Sequence, residues 1–191
     1  MIKLLKDYPL YQFRVALKGS EPAIWRRFQV RKETTLLKLH RVLQIVMGWQ
    51  NCHLHEFRIG GLSFGEPVPG EDSDCVDERT IRLTEVATSE TITFEYIYDF
   101  GDGWLHELTV EKGVDKEAGV RYPVCIEGAR ACPTEDVGGI GGYSYFLKVI
   151  RDRRHPEHKG YLEWIGGQFD PEAFDLDAVN SKLSRVRSLP K

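Results

Sequence analysis

Residues 11–19, "YQFRVALKG", alternate apolar and polar side chains, the two-residue period of a strand with one buried face. "AIWRRFQV" (23–30) repeats the pattern, and Gly19 to Pro22 between the two segments predict a hairpin turn. The period then changes. In "TTLLKLHRVLQIVMGW" (34–49), Leu36, Leu39, Leu43 and Met47 recur at helical spacing, with Thr34 or Thr35 as N-cap and Gly48 as the stop. His40 lies on this stripe and reads as a half-buried core histidine. Strands are predicted again at 53–61, 91–99, 104–112 and 122–128, with a short helical turn at 81–86. From Tyr143 onward the pattern is helical, at 143–152, at 156–165 before Gly166–Gly167, and at 171–186. Asp170 as N-cap and Pro171 at the first helical position set the predicted start of the last helix.

Strands first and helices later imply an α+β fold with a mainly antiparallel sheet of about five to six strands. One helix follows the second strand, and a group of helices ends the chain. The expected organisation is one domain over 1–191, strand-rich over about 8–128 and helical over about 140–187.

Alternation also sorts polar residues by face. Trp104, His106, Leu108 and Val110 share one face of their strand, and Ile92, Phe94, Tyr96 and Tyr98 share one face of the preceding strand. The same sorting places His53 and His55 with Phe57 and Ile59. Three histidines on core-facing positions, near loops rich in Asp and Glu, predict a shared polar pocket if the strands are neighbours. A buried imidazole needs partners for both nitrogens, at about 1–3 kcal/mol for each one lost.

Between the two strands lies "DFGDGWLH" (99–106). Asp102–Gly103 suits a tight turn with positive φ, Gly101 permits a bulge, and Asp99 can cap loop amides. The DFG tripeptide lacks the Gly-rich loop, strand lysine and H-R-D motif of a kinase. "CIEGARACPTEDVGGIGGY" (125–143) packs two cysteines, two carboxylates and four glycines before a helix, and three readings compete for it. The glycines could hold phosphate, although Glu135 and Asp136 would repel it. Cys125 and Cys132 could join histidines around zinc, although the spacing is not a standard one. Or the segment is a folded loop whose carboxylates cap the helix and whose glycines allow close packing. Cys132, before a proline near a helix start, is also a weak candidate for a nucleophile.

Net charge is −3, from 26 basic and 29 acidic residues, which argues against a dedicated non-specific nucleic-acid binder. The four cysteines form no C-x-x-C pair and read as thiols or metal ligands rather than a disulfide framework. No apolar run approaches the ~18 residues of a membrane span, and no signal peptide is read at "MIKLLKDYPLYQF", so a cytoplasmic, membrane-free protein is expected. The acidic loop "GEPVPGEDSDCVDE" (65–78) lacks the EF-hand pattern and reads as solvated.

"YIYDFGDGWLHELTVEK" with "YPVCIEGARACPTEDVGGIGGY" resembles the plasmid pRiA ORF-three-like proteins, also called transposon-passenger TnpR-like proteins. The resemblance extends from the first strand through "PAIWRRFQV" and "TLLKLHRVLQIVMGWQNCHLHEF" to the helix after Tyr143, and more weakly to "FDLDAVN". Thr134 departs from it, where a second proline is expected. It implies an α+β fold and an association with plasmids and mobile elements, but no reaction. The signature falls on His53, His55, Asp99, Asp102, Trp104, His106, Cys132, Glu135 and Asp136.

Two functional readings follow. The first is a binding or accessory protein of mobile elements, whose partner is a nucleic acid or a mobile-element protein. Lys148, Arg151, Arg153 and Arg154 would contact phosphates, helped by Arg26, Arg27 and Arg31. The second is a metal-dependent hydrolase. Its ligands to a divalent metal such as zinc would come from His53, His55, Asp99, His106, Cys125 and Cys132, and its general base from Asp102, Glu135 or Asp136.

Overall fold

The computed structural model describes residues 4–67 and 75–186. It is an α+β structure built on one eight-stranded sheet. After a 3-10 turn at Leu5–Asp7 come β1 (Leu10–Leu17), β2 (Trp25–Arg31), α1 (Leu36–Met47), β3 (His55–Ile59), β4 (Leu62–Gly65), β5 (Val76–Asp77) and α2 (Leu83–Val86). Then follow β6 (Thr93–Tyr98), β7 (Trp104–Val114), β8 (Val124–Ala129), α3 (Gly139–Arg151), α4 (His158–Trp164) and α5 (Leu176–Val186). The strand order is β5-β4-β3-β6-β7-β1-β2-β8. Every pairing is antiparallel except β4 with β5.

The sheet is therefore larger than the alternation predicts, and it is mainly antiparallel as expected, with the single parallel pairing of β4 and β5 making it mixed. Gly60 and Gly61, expected inside one strand, both take positive φ and form the turn from β3 to β4. β4 and β5 have four and two residues, too few for a period to register. The central part of the acidic loop, 68–74, lies outside the described residues.

Helix α1 forms as its pattern requires. Thr35 Oγ1 accepts from the Lys38 amide, Gly48 ends the helix at φ 108°, and Leu36, Leu39, Leu43 and Met47 are buried. α3 begins earlier than expected, among the glycines, after Gly138 in the left-handed region. α5 begins later than expected. Asp170 and Pro171 form a separate turn, in which Asp170 Oδ1 accepts from the Glu172 amide. Asp175 starts the helix instead, accepting from the Ala178 amide. The interruption seats the Phe174 ring 4.1 Å from the Arg26 guanidinium carbon.

Arg26 is the least ordinary core residue, at 2% exposure. It donates to four main-chain carbonyls, those of Val46, Trp25, Ala129 and Arg130, at 2.6–2.8 Å. It thus joins the end of α1 to β2 and to the chain leaving β8. Burial lowers its pKa.

His106 is fully buried on β7, and face sorting placed it correctly. Its Nε2 accepts from Trp49 Nε1 at 3.1 Å and its Nδ1 faces the Tyr96 carbonyl at 3.2 Å, so the ring is held neutral. His40 is likewise enclosed, between Tyr96 Oη at 2.8 Å and Asn51 Oδ1 at 2.6 Å. Burial pushes His106 down to about 4 and His40 down to about 3. Both native values lie below the unfolded value of about 6.5, so the unfolded chain binds more protons in this window. Stability from these residues is complete above about pH 6.5 and is lost as pH falls towards 4. His106 alone accounts for on the order of 3 kcal/mol of this loss, at about 1.4 kcal/mol per pH unit. Urea unfolding from pH 7 to pH 4 checks the expectation, with His106→Gln expected to flatten the slope. A stability that does not change over that range would contradict it.

Candidate metal centre

Three chain segments meet at one end of the sheet. They are the connection from α1 to β3, the turn between β6 and β7, and the loop from β8 to α3. The first carries Cys52 and His53, the second Asp99, the third Glu135 and Asp136. His53 Nε2 lies 3.7 Å from Asp99 Oδ2, 3.8 Å from Glu135 Oε2 and 3.3 Å from Asp136 Oδ1. The donor atoms of His53, Asp99 and Asp136 lie within 4.8 Å of one another, as do those of Cys52, His53 and Glu135. Two ligands about 2.1 Å from one ion in tetrahedral geometry stand about 3.4 Å apart, close to these separations.

Each carboxylate is aimed by its surroundings. Glu135 is 8% exposed, and its Oε1 accepts from the Gln50 amide at 2.7 Å and from Tyr98 Oη at 3.1 Å. Its Oε2 is buried with no hydrogen-bond partner, and so is His53 Nε2. Asp99 Oδ1 caps the Gly101 amide at 2.9 Å, leaving Oδ2 for His53. Asp99 and Asp136 sit at φ 56° and 58°, and Asn51, next to Cys52, at φ 57°. Three of the five described non-glycine residues with left-handed backbone thus surround this site, a strain concentrated where function is expected. Tyr98 also accepts from the Cys52 amide, and burial raises the pKa of its phenol.

The glycine run explains how two distant loops meet. Asp102 Oδ2 accepts from the Gly138 amide at 3.0 Å. A Cβ on Gly139 would stand 2.5 Å from the Asp102 carbonyl oxygen, and one on Gly142 would overlap that of Val137. The β6–β7 turn therefore rests directly on the start of α3, which brings Asp99 and Glu135 to the same place.

Other candidates lie elsewhere. Asp102 serves the Gly138 contact. His106 has both ring nitrogens occupied inside the core. His55 pairs with the buried Glu78 at 2.9 Å and stacks on His40 with ring centroids 3.5 Å apart. Cys125 lies on β8 opposite Phe28 of β2, its thiol 3.4 Å from the Arg27 carbonyl and pushed up to about 11 by burial. Burial also pushes the Cys132 thiol well up, so neither cysteine is poised as a thiolate. Lys148, Arg151, Arg153 and Arg154 are exposed at the end of α3 and just beyond it. Of the arginines expected to assist them, Arg26 is buried and Arg27 is ion-paired with Glu111 and Glu127. Cys52 had no signal in the sequence beyond its place beside His53, and Tyr98 stood out only as a core-facing aromatic.

A profile of the plasmid pRiA4b ORF-3-like proteins matches residues 9–178. The chain belongs to this family. It is similar to an uncharacterised protein, y4hQ, of Sinorhizobium fredii, with 37% identity over 174 residues, covering 90% of this chain and 89% of that protein. It is also similar to the crystal structure of a protein of unknown function, MM3350, from Methanosarcina mazei Go1. That similarity has a TM-score of 0.79 and 37% identity, and covers 88% of this chain and 96% of the other. As a pRiA4b ORF-3-like protein, the chain shares its fold with the Methanosarcina protein. Among the described residues, no helix is long and apolar enough to cross a membrane.

Proposed function

We propose that this pRiA4b ORF-3-like protein binds one divalent cation, of the zinc or manganese class, at His53, where the groups Cys52–His53–Glu135 and His53–Asp99–Asp136 adjoin, and acts through it on a hydrolysable substrate. One observation carries the reading. Two buried polar atoms, Glu135 Oε2 and His53 Nε2, lack hydrogen-bond partners and lie 3.8 Å apart. Leaving such atoms unpaired costs about 1–3 kcal/mol each, more for a charged group, and a cation between them removes the cost. An imidazole with neighbouring carboxylates is a donor set for zinc, iron or manganese rather than for copper(I) or an iron–sulfur cluster.

Within this reading each residue has a task. His53 and Glu135 hold the ion, and Gln50 and Tyr98 fix Glu135 so that one oxygen faces it. Asp99 completes the inner side. Asp136 is 72% exposed and stands at the open side, where it holds the ion or takes a proton. A bound ion of this kind supplies Lewis acidity and a water acidic enough to ionise near neutral pH. His53 and Cys52 also line a cavity of about 870 Å³, large enough for a small-molecule substrate.

The test is calorimetric titration of chelator-treated, untagged protein with zinc and with manganese. One equivalent bound to folded protein is the expected result. No uptake of either ion at neutral pH would sink the proposal.

A further inference from the structure

Beside the cavity at His53 runs a second groove of about 510 Å³, and the two share Leu37, Arg41 and Arg79. Its lining sets four cations, Lys38, Arg41, Arg79 and Arg82, against one carboxylate, Glu33. This is a concentration of positive charge on a chain whose net charge is −3. Only Arg79 is ion-paired, with Asp77 at 2.9 Å, while Lys38, Arg41 and Arg82 have no ion-pair partner among the described residues. Of the three carboxylates that line the adjoining cavity, Glu78 is taken by His55 and Glu56 by Arg58 and Ser63, while Glu66 adds negative charge on the side of Arg79.

We infer that this groove is a binding site for the phosphoryl group of a small-molecule ligand. Guanidinium groups match phosphate oxygens in pairs, and a concave wall raises their effect by excluding water. The groove runs past the first turn of α1, whose dipole adds positive potential. The amides there are already engaged, that of Leu36 with Ile81, Leu37 with Glu78 and Lys38 with Thr35. The side chains rather than the backbone therefore hold the anion. The groove adjoins the cavity that reaches His53 through Leu37, Arg41 and Arg79, so a phosphate ester bound there would lie beside that cavity. The groove itself does not depend on the proposed metal.

The probe is pyrophosphate, titrated by calorimetry into chelator-treated protein in ~50 mM salt, where screening is weak. Binding is expected, and Arg41→Gln/Arg82→Gln should weaken it by about tenfold or more, corresponding to ~1.4 kcal/mol or more. Arg41 is half-buried and Arg82 exposed, and an unchanged melting temperature shows that the double variant is folded. Binding should persist in His53→Ala, which separates this site from the metal centre. Failure to bind pyrophosphate, or equal binding by the double variant, would overturn the inference. So would loss of binding in His53→Ala, and so would binding of a single-stranded oligonucleotide without binding of pyrophosphate.

Discussion

Replacing Glu135 with Gln should lower the affinity for zinc or manganese by about 100-fold or more, with little change in the fold. Loss of an outer-shell partner alone costs about 10–100-fold, and Glu135 is proposed as a direct ligand. The amide keeps an oxygen to accept from the Gln50 amide and from Tyr98 Oη, so the loop stays where it is. What disappears is the charge on Oε2, the atom left without a partner 3.8 Å from His53. His53→Ala should do the same by removing the only nitrogen donor of the set. Asp136→Asn, at the exposed side, should have the smallest effect of the cluster. The order matters as much as the size, because a cluster that attracts cations by charge alone would respond similarly to Glu135→Gln and Asp136→Asn. Metal content and titration isotherms of the three variants decide it. Unchanged stoichiometry and affinity in both Glu135→Gln and His53→Ala would place the ion elsewhere.

Arg26→Met should destabilise the protein by about 3–5 kcal/mol, as breaking a buried charged network does. The outcome is not obvious in advance. Removing a buried cation with no carboxylate beside it also relieves a desolvation penalty, and an apolar side chain of similar length would fill the space. The acceptors decide the sign. Four main-chain carbonyls lose their donor, and they belong to β2, to the end of α1, to the end of β8 and to the residue after it, none of which can turn to water without unfolding locally. At about 1–3 kcal/mol for each orphaned group, their sum exceeds what is regained. Arg26→Lys should recover part of the loss, since an ammonium offers three donors but no planar fork. Urea midpoints measure the effect, and a loss below about 1 kcal/mol would show that the carbonyls find other partners. A second consequence follows from position. Arg26 anchors Arg130, five residues before Glu135, so Arg26→Lys should also weaken metal binding while the protein remains folded.

The periodic elements were legible in the chain because their cause is local. A run such as Leu36, Leu39, Leu43 and Met47 can bury one face only as a helix. The alternation of 92–98 and 104–110 can bury one face only as paired strands, and the register sets Tyr96 opposite His106. The buried positions of β6 and β7, His106 included, were therefore determined by the sequence itself. Short elements were not. β4 and β5 are too brief to show a period, and the turn that delays α5 to its Asp175 cap carries Phe174 onto Arg26, a contact between distant parts of the chain.

The site divides in the same way. Sequence marked His53, Asp99, Glu135 and Asp136 as unusual, but it grouped His53 with His55 and His106 because alternation placed all three on core-facing strand positions. His53 precedes β3, outside the reach of strand alternation, and its side chain turns to the loops. Only the tertiary structure decided which polar residues meet. Their encounter depends on a turn resting on a glycine-rich helix start, and that close approach is a fact of packing between segments far apart in the chain, which no local pattern encodes.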